Sequence, residues 1–167
     1  FIPSESKLHQ AISDTVSWYE DGVDFAHMRT LIMNRYGSAN FTDVKMNLPF
    51  MTAALLLGGG DFGRSICHAV NFGQDADCTG ATVGAILGII APDSIPEKWL
   101  APIGRNLVVD KGITGIRPPA TLDEFTDMVI SLRDRLKVDD SYPDESDFTK
   151  FGIRFRRSVF RRGCSRF

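Results

Sequence analysis

Residues 71–90 read NFGQDADCTGATVGAILGII. Two aspartates, Asp75 and Asp77, stand one residue apart at the mouth of a segment made almost wholly of small and apolar residues. Gly80, Gly84 and Gly88 recur every fourth residue, which places them on one face of a helix. Each glycine inside a helix costs up to about 1 kcal/mol relative to alanine, so three in register imply a flat face packed closely on a neighbour. The stretch therefore predicts a central helix from about Cys78 to Ile90, with charged groups at its mouth.

Working outward, helical spacing dominates. Leu8, Ile12, Val16 and Tyr19 form an apolar stripe behind Pro3-Ser4, predicting a helix that stops near Gly22. Asp24 precedes Phe25, Met28, Leu31, Ile32 and Tyr36, and Gly37 is a natural stop. Residues 38–46 read as a polar turn, and Asn47-Leu48-Pro49 as the opening of a short apolar helix running into Gly58-Gly59-Gly60. Asp61 is placed to cap a helix with Phe62, Ile66 and Val70 on its inner face. Pro92 and Pro96 break the pattern, Pro96–Trp99 suits one helical turn, and residues 101–120 are irregular. Thr121 and Glu124 form a capping box ahead of Phe125, Met128, Val129, Leu132 and Leu136. No strand pattern or repeat competes, so the fold class is all-α.

A chain of 167 residues buries one respectable core, and residues 1–137 read as one helical domain. Beyond it, residues 139–147 carry five acids and residues 154–166 six arginines, without the spacing of a packed element. Residues 138–167 are expected to be a peripheral or disordered tail. Its Arg and Phe residues offer a weak route to nucleic acid, which the overall net charge of −2 argues against. Cys67, Cys78 and Cys164 are odd in number and widely spaced, so they build neither a disulfide framework nor a CxxC knuckle. That usage suits a reducing, cytoplasmic setting. Apolar runs such as 51–57 and 83–92 fall far short of the roughly 20 residues a membrane helix requires.

Four readings compete for the acidic turn. An EF-hand loop fits Asp75, Asp77, Thr79 and Gly80 but needs an acid at the twelfth position, which is Ile86. A phosphatase-type Asp-x-Asp-x-Thr nucleophile matches literally, yet it should follow a buried strand in an alternating strand–helix chain, and here it follows a helix. A plain N-cap satisfies the orphan N–H groups of the helix start, but needs one carboxylate where this turn supplies two. A metal-bearing turn uses both, since carboxylates two residues apart converge on a hard cation such as magnesium or manganese.

The stretch from Asn47 to Gly88 resembles the C-terminal half of the ADP-ribosylglycohydrolase family, whose late motif is Asn-x-Gly-Gly-Asp-x-Asp-Thr followed by an Ala/Gly-rich helix. Asn71, Gly73, Asp75, Asp77 and the glycine-faced helix match it, and Ile95-Pro96-Glu97-Lys98-Trp99 is similar to the family's Ile-Pro-x-x-Trp segment. The resemblance spans roughly residues 5–137. It implies an all-α orthogonal bundle and a centre of two magnesium or manganese ions, with Asp75 and Asp77 as ligands. It also implies hydrolysis of an ADP-ribosyl glycosidic bond on a protein or small molecule, with Asn71 and Gly73 at the substrate. The resemblance assigns no catalytic residue here.

Two departures shape that expectation. Cys78 stands where the family places a ligating Thr or Ser, and a neutral thiol is a poor ligand for a hard cation, so Cys78 and Thr79 are both candidates for the third position. Gln74 replaces the second glycine. The family's early Thr-Asp-Asp ligands have no match in these 167 residues, so the chain reads as the C-terminal part of a longer enzyme, inactive by itself. The alternative is a non-catalytic relative that keeps the fold as a binding or structural module. Elsewhere, Arg64 and His68 are expected on a surface, His9 and His27 without ligand partners, Cys67 in the core, and Trp18 and Trp99 in packing.

Overall fold

The computed structural model describes residues 2–115 and 117–136; Cys164 and the expected tail over 138–167 lie outside them. Among the described residues there are seven α-helices and no strand. They are α1 (Lys7–Glu20), α2 (Phe25–Tyr36), α3 (Val44–Gly58), α4 (Phe62–Phe72), α5 (Ala76–Ile90), α6 (Glu97–Leu100) and α7 (Leu122–Leu136), with one 3-10 turn at Pro92–Ser94. The chain divides between Glu97 and Lys98 into two compact units. Among the described residues, no helix is long and apolar enough to cross a membrane.

In the first unit, side chains fix the helix starts. Ser6 accepts the His9 N–H at 3.1 Å, Asp24 that of His27 at 2.9 Å, and Asp61 that of Arg64 at 2.7 Å. The helix expected to open at Asn47 starts three residues earlier, because Asp43 is extended and accepts the Lys45 N–H at 2.9 Å. Pro49 consequently lies inside α3, where it has no N–H to return to the preceding turn.

α3 is the centre of this unit: Met46, Pro49, Phe50, Ala53, Ala54 and Gly58 are all buried. Phe50 stacks on Phe72 of α4 with centroids 5.0 Å apart, and Phe72 on Phe25 of α2 at 4.4 Å. Burying a phenylalanine contributes about 1.5–3 kcal/mol, so this three-ring run ties three helices together. Met28 and Ile32 of α2 and Val83 and Leu87 of α5 complete the core. On α1 the most buried line is Ala11 and Thr15, while the predicted stripe of Leu8, Ile12, Val16 and Tyr19 is half-buried around it.

α4 is gripped from two sides, and this corrects the expected inner face. Ser65, Ala69 and Phe72 form its buried line toward α3, where a methyl group on Gly58 would overlap Ser65. The predicted line of Phe62, Ile66 and Val70 instead covers Gly80 and Gly84 of α5, while Gly88 faces Ile95. A Cβ on Gly80 would lie 3.2 Å from Val70, and one on Gly84 3.1 Å from Ile66. The glycine face thus packs as its spacing predicts. α5 is not central, however: Cys78, Ala81, Thr82, Ala85 and Ile89 on its other side are exposed. Cys67, expected in the core, is exposed on the outer side of α4 beside Arg64 and Asn71.

In the second unit, residues 101–120 are irregular, as expected, and closed by two main-chain bonds. Leu107 N–H donates to Ala120 and Leu122 N–H to Arg105, each at 2.9 Å. Arg105 also pairs with Asp123. The capping box forms with a shift of one residue: Thr121 accepts the Glu124 N–H, and the Glu124 carboxylate accepts the N–H of Ala120.

Candidate metal centre

The turn between α4 and α5 begins where Gly73 ends α4 with φ 79° and ψ −152°, a conformation that costs any residue with a Cβ. Gln74 follows at φ 60°, the single non-glycine residue with positive φ among those described. Two consecutive residues in sparsely populated conformations mark a turn that its surroundings must hold in place.

Arg29 of α2 is one of those surroundings. Its Nε donates to the carbonyl oxygen of Phe72 at 3.0 Å, and a Cβ on Gly73 would lie 3.8 Å from its guanidinium. The last carbonyl groups of a helix carry partial negative charge and lack partners within it, so a guanidinium suits this place. Sequence reasoning missed Arg29. The available signal was its spacing: it falls on the stripe of Phe25 and Ile32, where a cation is out of place unless it has a partner inside.

Asp75 occupies the N-cap position of α5, with its carbonyl accepting the Thr79 N–H at 2.9 Å. Its side chain makes no cap hydrogen bond. At φ −83° and ψ 59° the residue departs from the extended conformation of the other aspartate caps. Asp77 lies in the first turn of α5.

The structure brings three donors together. A carboxylate oxygen of Asp75, one of Asp77 and the Sγ of Cys78 all lie within 4.8 Å of one another. Asp75 is half-buried, while Asp77 and Cys78 are exposed, so the group opens to solvent. Neither carboxylate forms a salt bridge among the described residues. The Cys78 thiol is pushed above its ordinary pKa, first by its hydrogen bond to Asp75, then by the charge of Asp75, by desolvation and by the charge of Asp77. Each cause disfavours the thiolate, through neighbouring negative charge or lost water.

Thr79 is placed differently. It is 1% exposed, and its hydroxyl lies 3.4 Å from the carbonyl oxygen of Ala69 and 3.2 Å from that of Ala76. It is buried where α5 meets α4. Asn71 is exposed on the last turn of α4, and Gly73 is the cap that follows it. His68 is half-buried, with its ring 5.2 Å from that of Phe25.

No curated protein and no solved structure matches this chain. The sequence profile of the ADP-ribosylglycohydrolase family does, over residues 1–136.

Proposed function

The chain belongs to the ADP-ribosylglycohydrolase family, and from that premise we propose that its acidic turn holds a divalent metal ion used to hydrolyse an ADP-ribosyl glycosidic bond. The observation that carries this reading is the Asp75 carboxylate, which leaves the cap of its own helix unmade and lies within 4.8 Å of donors from Asp77 and Cys78. The donor set fits in part. Two carboxylates suit magnesium or manganese, the ions the family resemblance implies, whereas a thiol does not.

Asp75 and Asp77 would hold the ion, with the N-terminal end of α5 behind them. When bound, such an ion supplies positive charge beside the ribose hydroxyls and the breaking glycosidic bond. The chain's own residues do the positioning. Gly73 and Gln74 bend the backbone ahead of Asp75, whose carboxylate caps no N–H of its helix, and Arg29 holds the bend from α2. Asn71 and Gly73, next to the turn, are the residues we assign to the substrate. The substrate is an ADP-ribosylated protein or small molecule.

This chain supplies only the late part of the ligand set, since the early Thr-Asp-Asp ligands have no counterpart in its sequence. By itself it is then a metal-binding chain without turnover. The same sequence fact, with Cys78 in a hydroxyl position, favours as second reading a non-catalytic relative that keeps the fold for binding.

Calorimetric titration with manganese tests the proposal. Binding that both Asp75→Ala and Asp77→Ala abolish is the expected result, and binding indifferent to both variants would overturn it. Release of ADP-ribose from a modified protein or small molecule by the metal-loaded full-length gene product separates the enzyme from the non-catalytic relative.

A further inference from the structure

We propose that the first unit carries a binding site for a small phosphate-bearing anion, at the place where α1, α2 and α3 meet. Lys7, Gln10, Arg35, Tyr36, Gly37 and Lys45 line a pocket of about 290 Å³ there, close to the roughly 300 Å³ at which pockets begin to hold small molecules. The site is separate from the acidic turn and does not depend on the metal reading.

The first argument is charge. Three of the six lining residues are cationic and none is acidic. Two carboxylates adjoin the cations, and each is engaged. Asp14 accepts the Tyr36 hydroxyl and pairs with Arg35 Nε at 3.0 Å; Asp43 caps α3 and lies 3.4 Å from Lys45 Nζ. Three cations against two carboxylates leave positive charge in excess. Tyr36 adds no negative charge, because burial, then its hydrogen bond to Asp14 and the Asp14 charge, push its hydroxyl up to about 12.

The second argument is position. A cation in the last turn of α2, where Arg35 sits, is what the end of a helix favours. Lys7 and Lys45 are placed the other way. They lie in the first turns of α1 and α3, which hold no acid, and a helix start repels a cation and attracts an anion. An anion bound between them uses both lysines and both helix starts.

The third argument is order. Arg35 suits phosphate, because its planar guanidinium offers five N–H groups in a fixed fork. Asp14 holds its Nε, and its guanidinium carbon lies 5.9 Å from the centre of the Tyr36 ring, so the side chain is anchored before a ligand binds. A compact pocket at three helix ends suits a small molecule. Nucleic acid needs an extended basic surface, which the net charge of −2 does not favour.

Calorimetric titration of the full chain with inorganic phosphate and with pyrophosphate, in EDTA so that no divalent ion takes part, tests the site. Binding should be detected, and Lys7→Gln with Lys45→Gln should weaken it by about tenfold or more through the loss of charged hydrogen bonds. Tighter pyrophosphate identifies a diphosphate ligand, and equal or tighter phosphate a single group; both orders support the site. Thermal unfolding adds a readout that a structural role would not give. Without ligand the double variant should melt no lower than the parent, since it removes two cations from helix starts and an exposed ion pair that contributes little. Pyrophosphate should raise the melting temperature of the parent and not that of the variant. Absence of binding overturns the proposal. Binding unchanged in the double variant also overturns it, as does equal weakening by Lys98→Gln with Lys111→Gln, two exposed lysines outside the pocket; either marks an adventitious ion only.

Discussion

Gly59-Gly60-Asp61 and Gly73-Gln74-Asp75 perform the same task with nearly the same parts. Each passes the chain through two left-handed residues, at φ 61° and 86° in the first turn and 79° and 60° in the second, and each sets an aspartate before the next helix. In both, that aspartate's carbonyl opens the helix, accepting the N–H of Ser65 at 3.0 Å and of Thr79 at 2.9 Å. They part at one torsion. Asp61 is extended, with ψ 122°, and folds its carboxylate back onto the Arg64 N–H; Asp75 has ψ 59° and does not fold back. Asp24 and Asp43 follow Asp61, and their carboxyl groups are held below the ordinary value first by the backbone N–H groups of His27 and Lys45. Three of the four aspartate caps are thus spent on helix ends. The fourth makes no such bond to a backbone N–H; its carboxylate meets the Cys78 thiol instead.

The difference leaves the end of α5 without the side-chain cap that the other three helices have. A side-chain cap contributes typically about 1 kcal/mol, and the strained backbone beside Asp75 costs of the same order. Binding of the proposed metal ion would recover such a deficit.

The largest effect expected from breaking this contrast is on affinity. Asp75→Ala should weaken divalent-ion binding on the order of 100-fold or more, while leaving stability within about 0.5 kcal/mol of the parent. Asp61→Ala should do the reverse, losing about 1 kcal/mol in urea unfolding with ion affinity unchanged; its exposed pairing with Arg64 at 3.9 Å adds little. Equal destabilisation by both variants, with affinity indifferent to both, would make Asp75 an ordinary cap.

Next in size is the glycine pair. Gly73→Ala places a Cβ in a conformation open only to glycine and should cost about 1–3 kcal/mol. Gly59, at φ 61° and ψ 31°, lies in the left-handed helical region that other residues visit at about 1–2 kcal/mol. Gly59→Ala is therefore the milder change, and only Gly73→Ala should also lower ion affinity. Urea unfolding and calorimetry on the two variants decide the order.

The four aspartate positions also show what a sequence displays and what it hides. Helices, stops and caps were legible because each follows from local spacing: apolar residues every third or fourth place, Asp or Thr before them, Gly after. Asp43 was passed over as part of a polar turn because Pro49 looked like a helix start, although α3 carries that proline inside it. The acidic turn and its glycine face were legible for the same local reason. Arg29 was not, because its partner, the carbonyl of Phe72, is 43 residues away, and no local pattern reports a contact across such a distance. Thr79 and Cys78 could not be told apart by position. Adjacent residues on a helix point about 100° apart, and which of them faces α4 depends on how the glycine face docks.

The smallest expected effect bears most directly on why the two turns differ. Gln74→Gly gives the second turn the Gly-Gly-Asp sequence of the first. Removing a side chain from a left-handed position gains about 1–2 kcal/mol, and the freer unfolded chain takes back roughly 0.5–1 kcal/mol, so the net gain should be about 0.5 kcal/mol. The informative readout is Asp75. If Arg29 and the Gly73 backbone set its ψ, the carboxylate stays uncapped in the variant and ion affinity changes little. If Gln74 is what holds it off the helix, the variant will gain a further cap's worth, about 1 kcal/mol, and lose affinity in the same step. We expect the first outcome, because the bond from Arg29 to Phe72 and the glycine-only conformation at Gly73 both precede Gln74 in the turn and are untouched by the substitution.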